Sequence, residues 1–262
     1  PTNQRVPLPD VFLRPITGYA DIGMREGAAT SNYHSLQVSV NRRFARSLEF
    51  GASWTWSKSM DFVDGDQARV ISAVPVRIWN YGLAGFDRTH VLKINWLWEV
   101  PGRNWSLAPL KTITNGWQLN GIASFVSGAP VGVGYSLVTG ADITGTPSVG
   151  ARIVITENPI LPKSERTFYQ NFRTDVFSAP AVGTIGNAAK TNLRGPGINN
   201  WDIALFKNFA LHERAKLQFR AELYNAFNHT QFSAYDAAAR FDAQGRQVNA
   251  RFGQFTAARL PR

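Results

Sequence analysis

The chain has 262 residues, no cysteine, 28 Lys and Arg against 18 Asp and Glu, and a formal net charge of +10. The lack of cysteine excludes disulfides, thiolate metal sites and cysteine nucleophiles, and no apolar run reaches the roughly 18 residues of a transmembrane helix. A membrane β-barrel remains open, because its strands hide their apolar half in alternation, and an aromatic content of 12%, with 8 Trp and 17 Phe, suits a wall with aromatic girdles at two interfaces.

The basic residues are scattered along the chain, and Arg42-Arg43 is the tightest arginine pair. A nucleic-acid footprint needs clustering, so no nucleic-acid partner is expected.

In chain order, residues 1–30 contain Pro and Gly without periodicity and read as an irregular lead-in. Residues 1–10 lack the charged and apolar regions of a signal peptide. Residues 33–44 alternate, with Leu36, Val38 and Val40 against Gln37, Ser39 and Asn41. A tight turn at Ala45-Arg46-Ser47 leads into residues 48–58, where Leu48, Phe50, Ala52, Trp54 and Trp56 oppose Glu49, Gly51, Ser53, Thr55 and Ser57. This predicts a hairpin, since side chains alternate across a strand with period 2. Residues 59–86 read as a long loop. Residues 88–100 predict a third strand, with Leu92, Ile94, Trp96, Trp98 and Val100 on one face and Lys93, Asn95 and Glu99 on the other.

Residues 117–126 predict a fourth strand and 131–138 a fifth. Residues 140–200 are irregular and rich in Gly, Pro, Asn and Thr, too long for a structureless loop in a compact soluble domain but ordinary on a barrel rim. Residues 201–228 predict two long strands joined by a short polar turn at 212–214. In the second, Leu217, Phe219, Ala221, Leu223 and Phe227 share one face, and Gln218, Arg220, Glu222 and Tyr224 the other. Short turns then alternate with long loops, so the short turns are expected on the periplasmic side.

Trp54 and Trp56 lie two apart, as do Trp96 and Trp98, so each pair shares a face. Stacked indoles could form a sugar-binding platform. An aromatic belt at the headgroup level is favoured, with Trp54, Trp56, Trp96, Trp98, Trp117 and Trp201 as membrane-interface residues. Lys93, Glu99, Arg220 and Glu222 are the expected lumen-facing polar groups.

The remaining motifs carry little chemistry. Asp61, Asp64 and Asp66 lack the spacing and distal Glu of a calcium loop. His34, His90, His212 and His229 are scattered, without metal-ligand spacing. Asn228-His229-Thr230 matches a glycosylation pattern by chance. No nucleophile elbow or phosphate-cradling glycine loop is present. No enzyme activity, metal or cofactor is expected.

The chain carries, in order, the phrases Phe86-Asp-Arg-Thr-His-Val91, Glu99-Val-Pro-Gly102, Gly116-Trp-Gln-Leu-Asn-Gly121, Ser127-Gly-Ala-Pro130, Leu193-Arg-Gly-Pro-Gly197, Asn200-Trp-Asp202, Phe206-Lys-Asn208, Phe219-Arg-Ala-Glu222, Tyr224-Asn-Ala-Phe-Asn-His229, Phe252-Gly253 and Ala258-Arg259. Their content and order resemble the C-terminal barrel region of the Oar-like TonB-dependent outer membrane receptors. The resemblance covers residues 31–262. It implies a parent with a signal peptide, a regulatory β-sandwich, a plug and a 22-stranded barrel, of which this chain is a fragment without plug or terminal strand.

The expected fold is therefore all-β, an antiparallel up-and-down transmembrane β-barrel, here partial. Residues 1–30 lead in, and 31–262 belong to one barrel domain with a long loop region at 140–200. The expected role is energised transport of an unknown ligand across the outer membrane of a Gram-negative bacterium. The partners would be outer membrane lipid, the TonB complex through the missing plug region, and that ligand. Alternatives are a soluble carbohydrate-binding β-sandwich, with two sheets on one core, and a passive porin.

Overall fold

A computed structural model describes residues 16–19, 22–23, 26–45, 47–65, 74–145, 149–212 and 215–259. Asp66, Arg46 of the first turn, Glu213 and Arg214 of the last, and most of the lead-in lie outside them.

The chain begins with β1 (Ser31–Ala45), β2 (Leu48–Asp61), helix α1 (Val76–Asn80), β3 (Gly82–Leu83), β4 (His90–Glu99), helix α2 (Ala108–Thr114) and β5 (Trp117–Val126). Five short strands follow: β6 (Pro130–Val131), β7 (Gly134–Leu137), β8 (Val154–Ile155), β9 (Phe177–Ser178) and β10 (Leu193–Arg194). The long β11 (Ile198–His212) and β12 (Ala215–Leu223) precede β13 (Phe232–Tyr235), β14 (Ala238–Phe241) and β15 (Phe255–Ala258).

One antiparallel sheet in the order β1-β2-β4-β5-β11-β12, with β3 beside β2, makes the wall. The sheet is not closed, and β1 and β12 are its edges. Strands β4 and β5 have 10 residues each and β12 has 9, matching the roughly 9–11 residues that a tilted strand needs to cross a bilayer.

The register carries the period-2 pattern across the sheet. Trp54 opposes Leu92, Ala52 opposes Ile94 and Phe50 opposes Trp96. Leu92 opposes Phe125 and Ile94 opposes Ala123. Ala123 opposes Trp201 and Leu119 opposes Leu205, and Ile203 opposes Leu223. The apolar halves of all six long strands therefore form one continuous face. Leu36, Val38, Val40, Trp56, Trp98, Leu217, Phe219 and Leu223 stand exposed on it. Among the described residues no second sheet covers this face, so the two-sheet sandwich is not the architecture.

The buried hydrophobic core lies outside the wall. Val133, Ile153, Phe172, Val176, Phe177, Ala188, Leu193, Ala239, Phe241 and Phe252 form one cluster, drawn from the β5–β11 connection and the segment after β12. Antiparallel order places residues 62–89, 127–197 and 224–259 at one end of the wall. The β1–β2 turn, residues 100–116 and the β11–β12 turn lie at the other.

Four sequence expectations need correction. The fifth strand does not join the wall: it divides into β6, which pairs with β10, and β7, which pairs in parallel with β14, with the Lys190 carbonyl packed against Gly132 between the two pieces. The last strand ends at Leu223, not near 228, because Asn225 and Asn228 adopt φ of 48° and 51°, the left-handed region that asparagine tolerates. The long loop after β2 begins only beyond Asp61 and contains α1 and β3. Residues 140–200, expected to be irregular, hold β8–β10 and six of the ten residues of the core cluster, since anchors at irregular spacing leave no period to read.

Gly121 shows how the wall is packed. It faces Trp96 across the β4–β5 ladder, and a Cβ there would collide with the indole. Trp96 thus covers a glycine that would otherwise leave the ladder bare. Gly121→Val should displace Trp96 and cost about 1–3 kcal/mol by overpacking, read as a lower urea midpoint of the folded protein.

Candidate functional site

The polar face of the wall is the first candidate surface. Lys93 stands between Ser53 and Ser124, and Glu99 opposes Gln118. Arg220 opposes Phe206, with its guanidinium 4.6 Å from the ring centre, and lies 3.9 Å from the Glu222 carboxylate. Glu222 accepts a hydrogen bond from the Tyr224 hydroxyl at 2.9 Å. The register thus places Lys93, Glu99, Arg220 and Glu222 on one face, opposite the apolar one. A cleft of about 430 Å³ lies along this side, with Glu49, Asp202 and Glu222 as carboxylates, Asn95 and Asn120 as amides, and Leu97 and Ile122 as apolar patches. It presents both hydrogen-bond acceptors and donors.

The six tryptophans named from sequence all fall on the apolar face. Trp54 and Trp56 lie toward the long-loop end, opposite Leu92 and His90, and Trp54 stacks on the His90 ring at 5.9 Å. Trp96 and Trp98 lie toward the short-turn end, opposite Phe50 and Leu48. Trp117 is also at that end, opposite Lys207. Trp201 sits opposite Ala123, nearer mid-wall, and joins an aromatic cluster with Trp96 at 6.1 Å, Phe125 at 5.4 Å and Phe227 at 5.5 Å.

The second candidate surface is the long-loop rim, where the phrases at 86–91, 127–130 and 193–197 meet. Asp87, 2% exposed, accepts the Ser59 amide at 2.6 Å through Oδ1. Its Oδ2 lies 2.7 Å from Arg194 Nη2, an ion pair without hydrogen-bond angles. Arg194 Nη1 donates to the Gly128 carbonyl at 3.3 Å. Gly128 is obligatory, because a Cβ would collide with the Gly195 carbonyl. The Tyr235 hydroxyl donates to the Arg194 carbonyl at 3.0 Å, and burial pushes that phenol far up. Nearby, Lys190 Nζ donates to Asp61 at 2.6 Å and Asp64 at 3.2 Å. Partial burial pushes the Asp64 carboxyl up, but the Gly85 amide and Lys190 outweigh it and hold it below the ordinary carboxylate range.

A third knot joins Asn200-Trp-Asp202 to the turn after β12. Asp202 accepts from the Asn225 amide and the Asn200 side chain, each at 2.9 Å, and the Ala226 amide donates to the Trp201 carbonyl at 2.7 Å. His229 Nδ1 lies 3.3 Å from the Asn199 carbonyl, placing it in turn architecture. Asp61 and Asp64 meet on Lys190 rather than forming a ligand ladder, and no group of three potential metal ligands occurs among the described residues.

Sequence reading missed Asp87, Lys190 and Arg194. Asp87 and Arg194 lie inside turn phrases of the sequence, but nothing local pairs residues 107 apart, and Lys190 lies in none of those phrases.

A family model described as outer membrane beta barrel domain matches residues 2–262. No curated protein and no solved structure matches the chain.

Arg194→Ala leaves a buried Asp87 carboxylate without its cation, which should cost about 1–3 kcal/mol. Limited proteolysis should then cut residues 127–197 faster, and adding Asp87→Asn, which keeps the acceptor for the Ser59 amide, should restore part of the resistance.

Proposed function

Because the chain belongs to the outer membrane beta-barrel domain family, we propose that it builds part of the wall and outer rim of an Oar-like TonB-dependent transporter. Its location is the outer membrane, and its exposed apolar face meets lipid there. In this reading the short turns point to the periplasm and the latched long-loop rim points outward. Trp54 and Trp56 stand near one interface and Trp98 and Trp117 near the other, with Trp96 and Trp201 on the same lipid side. Lys93, Glu99, Arg220 and Glu222 line the lumen.

The role is transport rather than catalysis. Substrate is captured at the outer rim and passes the polar face when the TonB complex acts on a plug carried elsewhere in the parent protein. The observation that carries the reading is that three of the phrases, at 86–91, 127–130 and 193–197, meet at the long-loop rim through Asp87–Arg194 and Arg194–Gly128. Together with Lys190–Asp61 beside them, these contacts tie residues 127–197 to the wall. An ordered rim of this size suits ligand recognition.

The second reading, a passive porin, is favoured by the open cleft along the polar face. Planar-bilayer recording separates the two. A plugged transporter predicts no steady conductance from the intact parent protein in potassium chloride, and a large conductance once the plug is deleted. Stable open channels from the intact protein would favour the porin.

A further inference from the structure

The β4–β5 connection at the short-turn rim is built unlike the other two there. Where its neighbours are tight turns, it runs from 100 to 116 and holds α2, a helix of seven residues with no buried residue and no side-chain N-cap. Isolated helices shorter than about 12–15 residues are marginal in water, so α2 needs a surface to lie on. The described chain does not supply one. Trp105, Leu107, Leu110 and Ile113 are exposed, Leu107 and Ile113 at 63% each.

Two anchors fix the side toward which the segment folds. The Trp117 indole donates to the Ile113 carbonyl at 2.8 Å, and Lys207 Nζ donates to the Asn115 carbonyl. Trp117 and Lys207 oppose each other on the apolar face of the wall. Lys207 is 2% exposed and held among aromatic rings, 5.2 Å from those of Trp117 and Phe209. Asn115 closes the base, accepting from the Arg103 amide at 2.8 Å and donating to its carbonyl at 2.9 Å. The apolar stripe of α2 is therefore continuous with the lipid-facing wall. The charge is one-sided too: residues 100–117 contain Arg103 and Lys111 and no acid. The nearby acids Glu49 and Glu99 lie on the polar face.

We propose that residues 100–116 form a membrane-interface foot. Helix α2 lies in the headgroup layer of the leaflet at the short-turn rim, with Trp105, Leu107, Leu110 and Ile113 at the acyl boundary and Arg103 and Lys111 on the phosphates of anionic phospholipids. An amphipathic segment with basic residues on its polar side binds such a surface through apolar burial and charge together. The inference rests on the barrel reading, since the foot is continuous with a wall facing lipid.

The chain contributes no cysteine, so single nitroxide labels are unique once any cysteine elsewhere in the parent is replaced by serine. Ile113→Cys, Thr112→Cys and Leu119→Cys would be labelled in the intact parent protein. Each would be reconstituted into vesicles of phosphatidylcholine alone and of phosphatidylcholine with phosphatidylglycerol. Depth is read from collisions with oxygen and with a water-soluble nickel chelate. The expected result is a label at 113 about 5–10 Å below the headgroup boundary, a label at 112 in water, and a shallower label at 113 when Arg103→Ser and Lys111→Ser are combined or phosphatidylglycerol is omitted. A label at 113 as chelate-accessible as that at 112, with 119 in lipid, overturns the foot and leaves the barrel standing. Aqueous labels at both 113 and 119 overturn the barrel reading itself. Shielding at 113 with spin–spin broadening between copies overturns the lipid assignment in favour of a second protein chain. Depth indifferent to phosphatidylglycerol overturns the role of the two basic residues.

Discussion

Every backbone N–H and C=O that enters hydrocarbon must find its partner inside the protein, because an unsatisfied group there costs several kcal/mol. The ladder from β1 through β2, β4, β5 and β11 to β12 meets that demand strand by strand, and the rest of the structure follows from it. A continuous ladder holds period-2 side chains on two faces, so one face can be largely apolar and the other largely polar. The open edges at β1 and β12 still need partners, since a bare edge in lipid violates the constraint that the ladder satisfies.

The wall turns a soluble protein inside out. Its large apolar side chains stand exposed, whereas a conventional buried core appears only in the rim cluster around Phe172, Phe177, Phe241 and Phe252. These rings pack edge to face, Phe172 with Phe177 at 5.8 Å and with Phe252 at 5.2 Å, the geometry that aromatic quadrupoles favour. The rim behaves as a small aqueous domain whose attachment to the wall is polar. Asp87–Arg194, Lys190–Asp61 and Asp202 with the Asn225 amide supply that attachment. Lipid selects for the wall and water for the rim, and the two are joined by charge and hydrogen bonds.

How much of this was legible depended on whether the information was local. The faces of Leu217–Leu223, Trp54–Leu92 and Trp96–Gly121 followed from alternation alone, because strand geometry converts sequence parity directly into a face. The rim core was not legible, because Phe177 and Phe241 come from strands of two and four residues and Ile153 precedes a two-residue strand, all joined over long distances. Phe227 kept the parity of its strand but sits beyond the chain reversal at Asn225, and it still reaches Trp201. The pairing of Asp87 with Arg194 needed the fold to bring them together. Helix α2 escaped notice because seven residues are too few for a 3.6-residue period to stand out. The turn phrases at 86–91, 127–130 and 193–197 marked where the loops would be locked without saying to what.

The central claim is that the two faces of the wall meet different solvents. The most direct test substitutes single cysteines at each position from 217 to 223 of β12 in the membrane-embedded protein and reacts them with a water-soluble maleimide. The account predicts alternation: cysteines at Gln218, Arg220 and Glu222 are labelled, and those at Leu217, Phe219, Ala221 and Leu223 are protected until detergent is added. Equal labelling at all seven positions would contradict it.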